Sequence, residues 1–153
     1  DTLDETMILL TAPNADIGSN AILESIENYA TSNHHKAIFI ESLGHLLYLS
    51  CLQYVDFVIG NSSSGIIEVP SFNIPTINIG NRQEGRVMSE SVINCLNQKE
   101  DICAAINRAY DLKMHYNDDF YNPYHKEDTA ESIVNILEST SLKNILLKRF
   151  HDV

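Results

Sequence analysis

Apolar residues along this chain gather into short runs that alternate with longer, periodic stretches. Residues 7–12 (MILLTA) form one run, closed by Pro13-Asn14, and residues 37–40 (AIFI) form a second. Short apolar runs bounded by turn formers predict buried strands. Residues 55–59 (VDFVI), 76–79 (TINI) and 92–95 (VINC) repeat the pattern. Between the first two runs, Ile17, Ala21, Ile22, Ile26, Tyr29 and Ala30 fall near helical spacing and predict a helix over residues 16–32. Leu46, Leu47, Leu49 and Leu52 predict a short helix over 44–54, and residues 66–72 predict another that stops before Asn73-Ile74-Pro75. Two longer helical patterns cover 99–115 and 126–139, and a further helix is expected within 142–150.

Strands alternating with helices imply βαβ units, so the expected fold is α/β, a mostly parallel sheet flanked by helices. No internal repeat or low-complexity linker breaks this order, and 153 residues suit a single domain spanning 1–153. Ligands of such sheets bind beyond the carboxyl ends of the strands. The loops after the first four strands are therefore where chemistry is sought.

Charge narrows the ligand. A formal net charge of -11 argues against general nucleic-acid binding, which depends on Lys and Arg neutralising phosphates. It leaves room for one small phosphate ligand, held locally by backbone amides and one or two arginines. The longest apolar run is too short for a membrane-spanning helix, and the opening residues lack the pattern of a secretory signal. Cys51, Cys95 and Cys103 are odd in number and lack CxxC spacing, which suits incidental thiols in a reducing compartment, and a cytoplasmic location is expected. The chain opens DTLDETMILL without an initiator Met, which suits an excised piece at least as well as a complete gene product.

The densest local feature is Gly60-Asn61-Ser62-Ser63-Ser64-Gly65-Ile66-Ile67-Glu68, which follows a strand and opens a helix. Free amides and the positive dipole end at a helix start favour phosphate. Ser62 and Ser63 add hydroxyls, and Gly60 and Gly65 allow close approach of the backbone. Each hydrogen bond to a charged group contributes about 1.5–3 kcal/mol, enough for two or three to matter. The alternative is that the serines merely cap the helix. Glu68 is placed either to accept hydrogen bonds from ribose hydroxyls or simply to favour the helix dipole. Arg82 and Arg86, in NRQEGR after the fourth strand, suit a diphosphate, with surface ion pairs as the alternative. Asn14, after the first strand, is a ligand contact or a turn residue. The six histidines show no metal-ligand spacing, no Ser-His-Asp order or Gly-x-Ser-x-Gly elbow occurs, and neither a metal nor a cofactor is expected.

TAPNADIGS, followed by YVDFVIGNSSSGIIEVPSFNIPTINIGNRQEGR, resembles the C-terminal domain of hydrolysing UDP-N-acetylglucosamine 2-epimerases of the sialic-acid and legionaminic-acid pathways. The resemblance spans roughly residues 7–138, and 55–86 is its specific part. It implies the C-terminal half of a GT-B fold, two Rossmann-like domains facing across a cleft, with the N-terminal domain missing here. It assigns Asn14 to the nucleotide, Ser62, Ser63 and Gly65 to the diphosphate loop, Glu68 to the ribose hydroxyls and Arg82 to the UDP pocket. Ser42 and Leu43 would meet the uracil, and Arg86 would lie nearby. NSSSG and NRQEGR differ from the serine-glycine loop and Glu-Arg-Pro sequence of the non-hydrolysing branch. Asn20 and Glu24 stand where some members use basic residues to bind a feedback inhibitor, which puts that regulation in doubt.

In the chemistry this resemblance implies, UDP leaves C1 as the C2 proton is lost, giving a glycal, and water adds to yield the free 2-epimeric sugar, such as N-acetylmannosamine. The acids for these steps belong to the N-terminal domain, so the expectation for this chain is UDP and UDP-N-acetylhexosamine binding without catalysis. The parent is expected to be a homo-oligomer. Two other readings stay open: a non-catalytic nucleotide-sugar-binding module, and the C-terminal half of a GT-B glycosyltransferase.

Overall fold

A computed structural model describes residues 5–14, 16, 18–115 and 119–143. The expected helix within 142–150 lies almost wholly outside these residues. Among the described residues the strands form two parallel sheets flanked by helices, the α/β Rossmann-like class. The chain separates into two compact units, residues 1–56 and 57–153.

In the first unit, β1 (Ile8–Thr11) pairs in parallel with β2 (Ala37–Ile40), Thr11 opposite Ile40. Helix α1 (Ser19–Ser32) makes the crossover between them, and α2 (Gly44–Cys51) follows β2. The start of α1 lies later than periodicity places it, because Gly18 takes a left-handed φ of 89° and turns the chain into the helix. Burial here is thin: among the described residues, Ala30, Ala37 and Leu52 are its buried apolar side chains.

In the second unit, β3 (Val58–Gly60), β4 (Thr76–Ile79) and β5 (Val92–Cys95) run parallel in the order β3-β4-β5. Register places Gly60 opposite Asn78 and Ile79 opposite Cys95, so the loops leaving these strands emerge on one edge. The third strand is shorter and later than residues 55–59, since pairing begins only at Val58, whose N–H donates to the Pro75 carbonyl. Between β3 and β4 runs α3 (Ser64–Ile67), then a 3-10 turn (Val69–Phe72). The single helix expected over 66–72 is therefore interrupted. Pro70 has no N–H to donate to Ile66 and biases the preceding residue away from helical backbone. Helix α4 (Lys99–His115) fits its periodicity to the residue and lays Ala105 and Ala109 on Ile77 and Ile93. Helix α5 (Thr129–Ser139) follows, and no helix among the described residues is long and apolar enough to cross a membrane.

Candidate functional site

In the second unit the loop after β3 and the loop after β4 lie at the same sheet edge, and a side chain joins them. Gln83 donates from Nε2 to the Asn61 carbonyl at 2.8 Å. The β4 loop is shaped by Gly80 (φ 76°) and Gly85 (φ 82°), both in left-handed backbone that glycine adopts without strain. Within it, Glu84 N–H donates to the Asn81 carbonyl and Arg86 N–H to that of Gln83.

On the β3 loop, the Ser62 carbonyl accepts from Gly65 N–H and the Ser63 carbonyl from Ile66 and Ile67. The Ser62 hydroxyl accepts weakly from Ser64 N–H at 3.4 Å. Neither the N–H of Ser62 nor that of Ser63 donates to a protein acceptor among the described residues. Ser63 stands at the N-cap of α3 without a side-chain capping bond, so capping does not account for its hydroxyl. Because α3 is only 4 residues long, its dipole adds little, and the amides and hydroxyls themselves carry whatever affinity for an anion this loop has. Glu68 is half-buried at the junction of α3 and the 3-10 turn, one turn beyond the serines.

Gly65 is buried, its carbonyl accepts a 2.7 Å bond from Thr76 Oγ1, and a Cβ placed there would lie 2.6 Å from Thr76 Cγ2. The close approach it permits is between α3 and β4. Arg82 and Arg86 are exposed, and among the described residues neither guanidinium has a hydrogen-bond or ion-pair partner.

A cleft of about 780 Å³ opens beside the β4 loop, lined among others by Asn78, Gly80, Asn81, Arg86, Asn94 and Asn97. Its volume suits a nucleotide-sized ligand. Of the residues singled out from sequence it includes Arg86, but not Ser62, Ser63, Glu68 or Arg82. Asn78, buried on β4, donates to Asn94 Oδ1 at 2.8 Å along its floor. The Cys95 thiol at the cleft wall has its pKa pushed up by burial and then by the negative charge of Asp101, which keeps it neutral and poorly nucleophilic.

In the first unit, Asn14 and Ser42 lie beyond the carboxyl ends of the adjacent strands β1 and β2. Both are exposed; the Asn14 carbonyl accepts from Asp16 N–H at 2.7 Å, and Ser42 Oγ accepts from Gly44 N–H at 3.3 Å. Leu43, half-buried, is the N-cap of α2.

Residues that pattern reading passes over hold this arrangement from behind. Buried Asn122 donates to the Ile67 carbonyl (2.9 Å) and Ser71 Oγ (2.6 Å), while its Oδ1 accepts from Tyr124 N–H. Tyr124 Oη donates to the Val87 carbonyl at 3.0 Å. Asn122-Pro123 signals a turn. Nothing local in the sequence reveals partners some fifty positions away.

Parallel strands, with helices between them and polar loops gathered at the carboxyl ends of the strands, define a Rossmann-like α/β protein. The chain belongs to the UDP-N-acetylglucosamine 2-epimerase family, whose model matches residues 1–138. The GT-B assignment fits that family. The chain is 44% identical over 94 residues to a GDP/UDP-N,N'-diacetylbacillosamine 2-epimerase (hydrolyzing) of Campylobacter jejuni, a match covering 61% of this chain and 24% of that protein. It is 38% identical over 142 residues to polysialic acid biosynthesis protein P7 of Escherichia coli, covering 92% and 36%. To a UDP-N-acetylglucosamine 2-epimerase of Neisseria meningitidis it is 31% identical over 147 residues, covering 95% and 38%. The chain thus spans less than two fifths of the length of these relatives.

Proposed function

We propose that this chain is the UDP-binding part of a hydrolysing UDP-N-acetylhexosamine 2-epimerase. The observation that carries the reading is the pairing of two loops at one sheet edge, where the amides of Ser62 and Ser63, without an acceptor among the described residues, stand on a loop tied to the one that bears Arg82. Within the second unit, Ser62 and Ser63 hold the diphosphate, Arg82 neutralises it and Glu68 accepts from the ribose hydroxyls; Asn14, Ser42 and Leu43 of the first unit are separate candidate contacts for the nucleoside. Arg86 extends the cationic side toward the cleft. The names of the Campylobacter and Neisseria relatives support a nucleotide-activated N-acetylated sugar as substrate.

In such a reaction the C1–O bond breaks toward the β-phosphate while the C2 proton departs, and water then adds to the glycal. Charge develops on the leaving diphosphate. Amides and a guanidinium fixed in advance around it stabilise that charge more than the ground state, which is how a binding half contributes to rate. No residue of this chain is assigned to proton abstraction, and the chain by itself is expected to bind without turning over.

Calorimetric or amide-shift titration with UDP, with ADP and uridine as controls, tests the reading. Saturable binding of UDP alone is expected, near millimolar, or about -4 kcal/mol. Glu68→Ala and Arg82→Ala should each weaken it about tenfold, one charge-assisted hydrogen bond apiece. Amides of residues 61–68 that stay unperturbed at saturating UDP would sink the assignment.

A further inference from the structure

Gln83 stands on the loop after β4, and its side chain reaches the loop after β3. Its side chain is 4% exposed, Nε2 donates to the Asn61 carbonyl, and Oε1 is buried with no partner among the described residues. Leaving a buried carbonyl oxygen without a donor costs free energy, and methionine would fill the same space without that cost. Packing alone therefore gives a poor account of an amide here.

The geometry of the peptide unit supplies a better one. The Asn61 carbonyl and the Ser62 N–H belong to one planar trans peptide, so they point in opposite directions. A donor that fixes the carbonyl on one side fixes the direction of the N–H on the other. It also polarises that peptide and makes the N–H a stronger donor. Ser62 N–H is one of the loop amides with no protein acceptor among the described residues. Gln83 is, in addition, the residue directly after Arg82, whose Cα lies one virtual bond, about 3.8 Å, away. One buried hydrogen bond thus orients an anion-binding amide and anchors the backbone from which the guanidinium projects.

We propose that Gln83 is a positioning residue for a diphosphate, setting the Ser62 amide against Arg82 without touching the ligand. The inference rests on the UDP-binding reading above. It predicts an effect on the diphosphate and not on the nucleoside, which a purely structural role would not produce.

The test compares affinities for UDP and for uridine in the intact gene product and in two variants, Gln83→Met and Gln83→Glu. Methionine removes both polar atoms; glutamate keeps shape and charge acceptors but sets a carboxylate against the Asn61 carbonyl. Both variants should lower the preference for UDP over uridine at least about tenfold, the worth of one hydrogen bond to a charged group. The downfield shift of the Ser62 amide on adding UDP should disappear with it. A preference retained in both variants, or UDP and uridine affinities that fall together, overturns the role of Gln83 alone. A parent protein with no preference for UDP overturns the underlying reading as well.

Discussion

Gly65 shows how far a single position can be argued. Its backbone is ordinary helix, so alanine there meets no conformational strain and gains up to about 1 kcal/mol of helix propensity. Against this stands the 2.6 Å approach of a new Cβ to Thr76 Cγ2, in a side chain that is itself buried and hydrogen-bonded back to Gly65. Overpacking of this kind costs about 1–3 kcal/mol, so Gly65→Ala should destabilise the chain on balance in urea denaturation. Thr76→Ser removes the offending methyl and keeps the hydroxyl, and the double variant should regain most of the loss. A double variant no better than Gly65→Ala would refute the clash as the cause. The sequence reads Gly65 as an opening toward a ligand, because the residues around it are serines; the neighbour that needs the space, Thr76, is eleven positions on. Arg82 and Arg86 are legible by contrast, since charge on a loop after a strand needs no distant partner to be noticed.

At the scale of elements, the segment around Asn122 acts as a strap behind the loops. It ties α3 through the Ile67 carbonyl, the 3-10 turn through Ser71, and the stretch after Arg86 through Tyr124 and Val87. Asn73, in left-handed backbone (φ 57°), adds bonds to Asp119 and to the Phe120 N–H. Asn122→Leu should cost about 1–3 kcal/mol, because it strips a donor from the Ile67 carbonyl in a place water reaches poorly. Tyr124→Phe, losing one exposed hydrogen bond, should cost no more than about 1 kcal/mol. Denaturation midpoints of the two variants check this order, and equal losses would count against the strap. Strong periodicity made α4 readable to its ends, as did the apolar runs of β2, β4 and β5. The break at Glu68 was less readable: seven residues fit either one helix or two short turns, and only the Pro70 geometry decides. The expectation for 126–139 likewise overran, since Asp128 takes a left-handed φ of 53° and α5 can begin only after it.

Across the whole chain, apolar burial is unevenly shared. Among the described residues, Ile66, Val69, Ile74, Ile77, Ile93, Ala105, Ala109 and Phe120 are buried in the second unit, whereas the first buries Ala30, Ala37 and Leu52. Local opening free energy follows buried apolar contact, so the two units should not exchange amide hydrogens alike. In the 153-residue chain under native conditions, amides of β1 and β2 are expected to exchange well before those of β4 and β5, whose flanking α4 covers Ile77 and Ile93. The consequence reaches the ligand. If the first unit opens readily, Asn14, Ser42 and Leu43 are ordered only part of the time, and, on the proposed reading of them as nucleoside contacts, UDP meets that ordering cost when it binds. Adding UDP should then slow exchange in β1 and β2 more than in β4 and β5, where little protection remains to be gained. Equal exchange in the two sheets without ligand would mean that the thin core of the first unit is cooperative enough as it stands. Its loop residues would then be held in place before UDP arrives, with no ordering cost to set against binding.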